Sequence, residues 1–292
     1  MTFASQEPEP TIAVEERSAP PVQSFRHPTA AGHVAAVLRR MIVGRELTDG
    51  STLPRQEDLV AQFGVSHPSL REALRMLEAE GLVTVQRGNR GGAVVHAPDA
   101  TGAAFTVGLV LESQRTALKD VGDALGRMEV ECGVLCAQAA DRGERIVPVL
   151  ERLNDMADQM VEGPPGPFVD ATRYFHDALI ELSGNRTLTV LCGALSVLWK
   201  GQTERIDRTE SPVARGRFAT GDRSSGLRAH HILVDAIARG DSEQVRVVLM
   251  AHNDRANSFW TRVEGLSVVD VTSDGLEALR VIAKPSQESW HI

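Results

Sequence analysis

The chain has 292 residues, 42% of them hydrophobic and 24% charged, so it is long enough for two domains that each bury a core. Its formal net charge of -8 at pH 7 argues against a protein that coats nucleic acid indiscriminately, but it leaves room for a local basic surface. The three cysteines form no CxxC pair and no even framework, which fits a reducing cytoplasm. We find no secretory signal and no apolar run near the roughly 20 residues that span a bilayer.

The first stretch of the chain carries no structural signal. Residues 1–28 are polar and contain several prolines and glutamates, which predicts a disordered tail. A helix is predicted from about Ala31, because the apolar residues between Val34 and Ile42 share one face. Gly44 ends this helix, so the folded part of the chain is expected to begin near residue 29.

The next two predicted helices are joined by the sequence Phe63-Gly64-Val65-Ser66. Gly64 can adopt a positive φ at the end of one helix, and Ser66 can cap the next. Pro68 is tolerated in the first turn of that second helix, where its missing N–H needs no partner. The pattern therefore predicts a compact helix-turn-helix.

The helix after this turn has one apolar face, formed by Leu70, Ala73, Leu74 and Leu77, which is expected to pack inward. Such a helix fits the major groove of DNA with its N-terminal residues nearest the bases, where Arg71 can bond guanine O6 and N7. After Gly81, a β-hairpin is predicted from Leu82–Gln86 and Ala93–His96. Its tip, Arg87–Gly92, suits a contact with the minor groove or with phosphates.

These motifs resemble the winged helix of GntR-type transcription regulators over about residues 30–96. The matching residues are Leu53-Pro54, Val65-Ser66, Leu70-Arg71-Glu72-Ala73-Leu74, Leu77, Gly81-Leu82-Val83 and the glycine-rich tip. The resemblance implies a winged helix-turn-helix domain that binds double-stranded DNA.

Three residues depart from the family pattern. Arg55 stands where a small capping residue is usual, Glu57 where many members carry a DNA-contacting arginine, and His67 where arginine is common. A carboxylate at position 57 cannot bond guanine O6 or N7; it can accept from cytosine N4 or face solvent. The candidate DNA-binding residues are Arg55, Glu57, Ser66, His67, Ser69, Arg71, Arg75, Arg87, Gly88, Asn89 and Arg90.

The charge of the predicted DNA-binding region is close to balanced. Residues 29–98 contain eight arginines against seven aspartates and glutamates, a net charge of +1, and the remainder of the chain carries the negative charge. DNA affinity should therefore rest on a few positioned arginines and decrease with salt.

From about Leu111 to Val263 nearly every segment has helical periodicity and almost none alternates like a strand. Helices are predicted at 117–141, 145–161, 168–183, 187–206, 223–239 and 242–263. Gly240 ends the fifth of them, and Asp241 can cap the sixth. Beyond these helices, a short strand at Ser267–Val271 and a helix at Gly275–Ile282 are predicted.

This second region is similar to the FCD effector-binding domain of FadR-like regulators over about residues 113–262. The matching residues are Arg127-Met128-Glu129, Tyr174-Phe175-His176, Ser183-Gly184-Asn185, His230, Asp235-Ala236-Ile237, Gly240-Asp241 and His252. In many such domains, three histidines and an aspartate four residues before the first of them bind a divalent metal.

The resemblance maps these three metal ligands onto His176, His230 and His252, whereas the aspartate position is Thr172, a poor ligand. It implies a three-histidine site for zinc or nickel that water or an effector carboxylate can complete. Spacing alone would favour three unrelated histidines, so the metal prediction depends on the resemblance. His231 is interpreted as a surface residue.

The resemblance also implies a small-molecule effector, an organic acid. Many members place an arginine four residues before the equivalent of Glu129, but here that position is Leu125. The candidate effector-binding residues are Arg127, Thr172, Arg173 and Asn185. Cys132 and Cys136, one helical turn apart, are interpreted as buried small residues rather than a redox sensor.

The sequence therefore predicts a mostly α protein with an N-terminal winged helix-turn-helix, a small β-hairpin wing and a C-terminal all-α helical bundle. The predicted divisions are a disordered tail at 1–28, a DNA-binding domain at 29–98, a linker at 99–112, a helical effector-binding and dimerisation domain at 113–264 and an extension at 265–292.

Our hypothesis from the sequence is a cytoplasmic homodimer without enzyme activity, whose binding to a palindromic operator is controlled by the effector. Two alternatives stay open. One is a metal-dependent hydrolytic enzyme in which the three-histidine site activates water, although no general base stands at a recognisable spacing. The other is a metal-free sensor whose histidines bond the effector directly.

Overall fold

The computed structural model describes residues 29–86, 92–207, 220–260 and 268–271. The chain divides into two units: the first ends at Ala79 and takes in Val83–Val95, and the second takes in Glu80–Leu82 and runs from His96 onward. The predicted tail at 1–28, the wing tip apart from Gly92, and the predicted helix at Gly275–Ile282 lie outside the described residues.

The first unit consists of three helices and a two-stranded sheet. Its elements are α1 (Ala30–Val43), α2 (Gln56–Phe63), α3 (His67–Ala79), β1 (Val83–Val85) and β2 (Ala93–Val95). Helices α1 and α2 and strand β1 all pack against α3. The side chains of Leu38, Ile42, Leu70, Leu77 and Val95 are buried in its core. The predicted winged helix-turn-helix with a small hairpin is confirmed.

The turn between α2 and α3 has the geometry that its sequence predicts. Gly64 adopts a φ of 63°, and its N–H donates to the Val60 carbonyl, which closes the end of α2. The Ser66 Oγ accepts a hydrogen bond from the Ser69 N–H at 3.3 Å, so Ser66 caps α3. Arg55, at the N-cap of α2, makes no side-chain capping bond.

Ser66 offers a test of this local account. Replacing Ser66 with Ala should lower the free energy of unfolding of the first unit by about 1 kcal/mol, because the Ser69 N–H loses its acceptor at the start of α3. Ser66→Thr keeps an oxygen at the same place and should cost less. Urea denaturation of the full chain measures both values, and equal stability of the three proteins would contradict the capping role.

A third short stretch of chain pairs with the β-hairpin, which the sequence does not predict. Strands β1 and β2 are antiparallel, with Val83 opposite Val95 and Val85 opposite Ala93. The chain before α2 then pairs with the other edge of β2: Leu53 N–H donates to the Ala93 carbonyl and Val95 N–H to the Ser51 carbonyl, both at 2.8 Å. These residues cover the backbone groups of an otherwise open strand edge.

The second unit is mostly helical, as predicted. Its helices are α4 (Ala100–Ser113), α5 (Leu118–Gln138), α6 (Val147–Gln159), α7 (Pro165–Leu182), α8 (Arg186–Asp207), α9 (Thr220–Arg239) and α10 (Ser242–Trp260), with a π-helical turn at Arg142–Ile146 before α6. None of the described helices is both long and apolar enough to cross a membrane.

The stretch predicted as a linker, 99–112, is largely the helix α4. The Asp99 carboxylate accepts from the Thr101 N–H at 2.9 Å and caps the helix, a role that the preceding proline and the nearby Gly102 obscure in the sequence. The segment from Ala100 to Leu111 carries no charged residue. It buries Ala104 on the rest of the unit, so packing stabilises a helix where local signals indicate a loop.

The main core of the second unit lies among α5, α6, α7, α9 and α10. Phe175, Leu179 and Ile237 are fully buried within it. All three cysteines are buried with free thiols, as interpreted from the sequence for Cys132 and Cys136. This packing holds α5, α7, α9 and α10 side by side and positions the histidines described below.

Of the predicted strand at Ser267–Val271, the structure describes Val268–Val271, which pairs at a single residue and forms no strand. Val268 forms an isolated antiparallel bridge with Ala117, the residue just before α5. Val269 and Val271 are buried against α4, α5 and α8. A segment close to the C-terminus thus belongs to the packed structure of the second unit.

Candidate functional site

Three histidines from three helices meet inside the second unit. His176 lies on α7, His230 on α9 and His252 on α10, and one ring nitrogen of each lies within 4.8 Å of the other two. The ring centroids are 4.9 Å apart for His176 and His230 and 4.8 Å apart for His230 and His252. The folded chain therefore brings together the residues that the resemblance predicts as metal ligands.

Local packing fixes the directions of these rings. The Phe175 ring stacks on the His230 imidazole with centroids 4.1 Å apart, and its own side chain is fully buried in the core. His176, the next residue along α7, meets the His230 ring nearly edge-on. The Phe175 ring covers one face of the His230 imidazole and lies nearly parallel to it. This packing fixes the plane in which the two His230 ring nitrogens lie.

His230 is the strongest indication that the cluster accepts a ligand. Its side chain is 2% exposed, and neither of its ring nitrogens has a hydrogen-bond partner among the described residues. A buried polar nitrogen without a partner costs about 1–3 kcal/mol, so such groups are rare unless something binds them. A neutral imidazole with an available lone pair is the form that coordinates divalent metals.

A buried carboxylate supports the cluster. Glu129, on α5, is hydrogen-bonded to Nδ1 of His176, and its other oxygen accepts from the Asn253 amide at 3.1 Å. Asn253 also donates to the Gly126 carbonyl at 3.2 Å, so α10 and α5 are joined beside the histidines. A carboxylate on Nδ1 leaves Nε2 of His176 to face a ligand, the arrangement that orients metal-binding histidines.

Glu129 is one of the residues that carry the resemblance to FCD domains, but the sequence alone implies no role for it. A signal was present, because Gly126, Glu129 and Gly133 are spaced by three and four residues and share one face of α5. The glycines on that face are small because α10 lies close: a Cβ at Gly126 would approach Asn253, and one at Gly133 would approach Leu249. A lone glutamate on such a face is buried and needs a partner.

The pKa values of this group follow from burial and from their mutual charges. Burial opposes the charged form of Glu129, but His176 and His252 together hold its pKa below the ordinary value. Burial likewise opposes protonation of His176, yet the Glu129 carboxylate raises the pKa of His176. Burial and the neighbouring His176 lower the pKa of His230 well below its usual range and that of His252 to about 4. His230 and His252 are therefore neutral at pH 7.

The fourth family position does not supply a ligand. Thr172 lies one turn before His176, and its hydroxyl donates to the Val169 carbonyl at 3.0 Å. The donor set is thus three imidazoles with one buried carboxylate behind them. Three nitrogen ligands with a place left for another group fit zinc or nickel, so these residues suit the metal that the resemblance implies.

Of the other predicted effector residues, none reaches the histidine cluster in the described contacts. Arg127 is exposed on α5, and Arg173 forms an ion pair with Asp170 at 3.5 Å. The Asn185 side chain accepts from the Leu188 N–H at 3.2 Å and caps α8. For Asn185, local capping accounts for the residue, whereas Thr172 and Arg173 lie on α7 one turn before His176.

The predicted DNA-binding residues divide between exposed positions and undescribed ones. His67, Arg71 and Arg75 are exposed on α3, as are Ser66 before it and Arg55 before α2, while Ser69 is half-buried. Glu57 is exposed in the first turn of α2, where a negative charge favours the helix dipole. Arg87, Gly88, Asn89 and Arg90 lie outside the described residues.

Comparisons with known proteins agree with both units. The family model for bacterial regulatory proteins of the gntR family matches residues 30–95, and the FCD domain model matches residues 120–255. The HTH-type transcriptional repressors NanR of Escherichia coli K12 and of Shigella flexneri are each 25% identical over 227 residues, which is 76% of this chain and 81% of theirs. A solved structure of a Streptococcus agalactiae GntR protein, 19% identical, has the same fold, with a TM-score of 0.56 over 78% of this chain and 99% of that one.

The chain belongs to the GntR family of transcription regulators and carries an FCD domain of the FadR-like kind. This membership makes it a transcription regulator and not an enzyme, so the hydrolytic alternative is set aside.

Glu129 provides a test of the histidine cluster. Glu129→Gln should lower zinc affinity about 10- to 100-fold, because the amide cannot hold His176 Nδ1–H as a carboxylate does. Glu131→Gln removes the same charge from an exposed position on α5 and is the control. Competition with a fluorescent zinc chelator measures both. Equal zinc affinity in the two variants would show that Glu129 does not orient the site.

Proposed function

We propose that this regulator is a homodimer whose winged helices each read one half of a palindromic operator, and whose DNA binding is controlled by the three-histidine site. The site would hold a zinc or nickel ion through His176, His230 and His252. A small-molecule effector, an organic acid, would complete the coordination. Because its target is chromosomal DNA, we place the protein in the cytoplasm.

The DNA-reading part of the proposal rests on α3 and its arginines. Arg71 and Arg75 are exposed, one turn apart, in the second and third turns of α3, and the opposite face of this helix is buried through Leu70, Ala73 and Leu77. Such a helix can enter the major groove while its core face stays packed. Arg71 has the donors to bond a guanine in bidentate fashion, and the wing arginines Arg87 and Arg90 would add backbone or minor-groove contacts.

The observation that carries the control site is His230 with two unsatisfied ring nitrogens beside two more imidazoles. A bound divalent ion would supply a Lewis acid that attracts a carboxylate. His230 and His252 would bind as neutral imidazoles, and Glu129 would hold His176 in position. Thr172, in place of the usual aspartate, leaves one more position for water or for the effector.

Two helices offer apolar surface for a second copy of the chain. Val107 and Val110 of α4 are exposed, as are Val190 and Leu191 of α8, the helix on which α4 packs. Exposed apolar side chains on adjacent helices favour association, and a two-fold dimer matches a palindromic operator. Sedimentation velocity of the full chain at micromolar concentration measures the mass.

Control requires that the ligand prefer one arrangement of the two DNA-reading units, since equal affinity for both would shift nothing. The experiment that tests the proposal has two parts. Elemental analysis of protein purified without a histidine tag and supplied with zinc or nickel should find about one ion per chain. Selection from random DNA should yield a palindromic site that is bound in a salt-sensitive way.

The metal-free sensor remains the second candidate, because His230 could equally receive a hydrogen bond from an effector. Protein that holds no ion after zinc and nickel have been supplied would favour it. In that case an organic acid should raise the melting temperature of the wild type but not of the His230→Ala variant.

A further inference from the structure

Four residues that follow α10 in the chain, Val268–Val271, make specific contacts within the second unit. The Val269 N–H donates to the Thr116 carbonyl at 3.0 Å, and Val268 pairs with Ala117 as an antiparallel bridge. Val269 and Val271 are 1% and 0% exposed. They share an apolar cluster with Ala104 of α4 and Leu198 of α8.

Two polar side chains fix the register of this segment. Glu112, on α4, accepts from the Val271 N–H at 2.8 Å, and the amide of Gln202, on α8, donates to the Asp270 carbonyl at 2.6 Å. Gln202 is 0% exposed, so departure of the segment would expose its buried amide or remove its partner. Such bonds select one register of an extended segment over its neighbours.

Helix α4 has a glycine, Gly108, at the point where the docked segment packs against it. A Cβ on Gly108 would lie 2.6 Å from Cγ1 of Val271 and 2.8 Å from Cδ2 of Leu198, so only glycine permits this approach. Glycine inside a helix costs roughly 1 kcal/mol relative to alanine. Gly102 on the same helix has nothing within 4 Å of its Cβ position, which shows that the close contact belongs to Gly108.

The contact between α4 and the docked segment joins elements that lie next to the DNA-reading unit in the chain and next to a helix of the histidine site. Helix α4 begins five residues after the end of β2, the last strand of the DNA-reading unit. The docked segment is bonded to Thr116 and Ala117, immediately before α5, the helix that carries Glu129. Both α4 and the segment lie outside residues 30–95 and 120–255, which the two family models match, so this contact is a feature of this chain beyond those models.

We propose that Val268–Val271 is a clasp that fixes α4 on the second unit and makes the position of α4 depend on α5. The inference rests on the proposed function, in which the site that includes His176 and its partner Glu129 controls DNA binding. A shift of α5 on ligand binding would move Thr116 and Ala117 and with them the clasp. Through Val271 and Glu112 the shift would reach α4, which follows the DNA-reading unit in the chain.

The first test needs no metal and no DNA. Val271→Asp in the full chain places a charge at a fully buried position, whereas Val247→Asp makes the same change at a position on α10 that is 58% exposed. Hydrogen exchange of the amides in 104–113 should be at least about tenfold faster in Val271→Asp than in the wild type or Val247→Asp. Equal exchange in all three proteins would overturn the clasp. If Val271→Asp does not melt cooperatively, Val271→Ala gives the same comparison.

The second test addresses transmission. Zinc should change the operator affinity of the wild type, and Val271→Asp should lose that change while it binds zinc as tightly as before. A variant that keeps the full zinc response would overturn the role of the clasp in transmission. A wild type whose operator affinity ignores zinc would instead refute the proposed function and the transmission with it, and the exchange measurement would still decide whether the clasp holds α4.

Discussion

Replacing His230 with Ala should lower zinc affinity by more than about 100-fold, the largest single effect that we expect. The substitution removes one of three imidazole ligands and the one that is most deeply buried, with both ring nitrogens unsatisfied. Thr172 is a poor replacement ligand, because it has a neutral hydroxyl that already donates to the Val169 carbonyl. Isothermal titration of zinc into tag-free protein measures the change.

The neighbouring residue is the matched control for this experiment. His231 is exposed and pairs with Asp158 at 2.8 Å, so it lies on the outer face of α9. His231→Ala removes the same chemical group one residue away and should leave zinc affinity unchanged within about twofold. If His231→Ala and His230→Ala weakened zinc binding equally, surface histidines and not the buried cluster would hold the ion.

Replacing Arg71 with Ala should weaken binding to the selected operator by about 1–3 kcal/mol, or roughly 5- to 150-fold, and relax the preference at one base position. Arg71 is exposed near the start of α3, where a groove-reading helix meets base edges. Its guanidinium can donate two bonds to one guanine, which no other single side chain replaces at that position. Fluorescence anisotropy with the operator and with single-base variants measures both effects.

The effect of losing a positive charge must be distinguished from the effect of losing a contact with a base. Arg228→Ala removes one positive charge from an exposed position on α9 of the second unit and should leave operator affinity and base preference unchanged. Arg71→Ala should also lose more affinity for the operator than for random DNA. An equal loss of affinity for both DNAs would show that Arg71 contacts only phosphate.

Features that depend on a few adjacent residues could be predicted from the sequence. The turn at Gly64 and the cap at Ser66 follow from glycine at a positive φ and a hydroxyl at the start of a helix, and both have the expected geometry. The helices of the second unit were also predictable, since their apolar faces repeat every three to four residues.

Features that depend on contacts between distant residues were not predictable in the same way. The sequence around Pro98 and Gly102 indicates a loop, yet α4 forms because Ala104 is buried on the rest of the unit. Likewise, Ser51–Leu53 is too short to alternate, and only the open edge of β2 makes it pair. Tertiary packing decided both cases.

The histidine cluster could be predicted from the sequence only in part. Spacing gave no reason to join His176, His230 and His252, which lie on different helices; the resemblance supplied the grouping. Glu129 could have been suspected from its place between two glycines on one face of α5. Its bond to His176, however, requires that α5 and α7 pack together, which no local pattern encodes.

The central claim is that occupancy of the three-histidine site controls DNA binding. The most direct measurement is the operator affinity of the tag-free full chain, by fluorescence anisotropy at fixed salt, with the protein metal-free and then zinc-loaded. The account predicts about a 5- to 150-fold change in Kd for the wild type, the usual range of coupling between two sites, and no change for His230→Ala. A wild type that binds zinc and shows the same Kd in both states would contradict it.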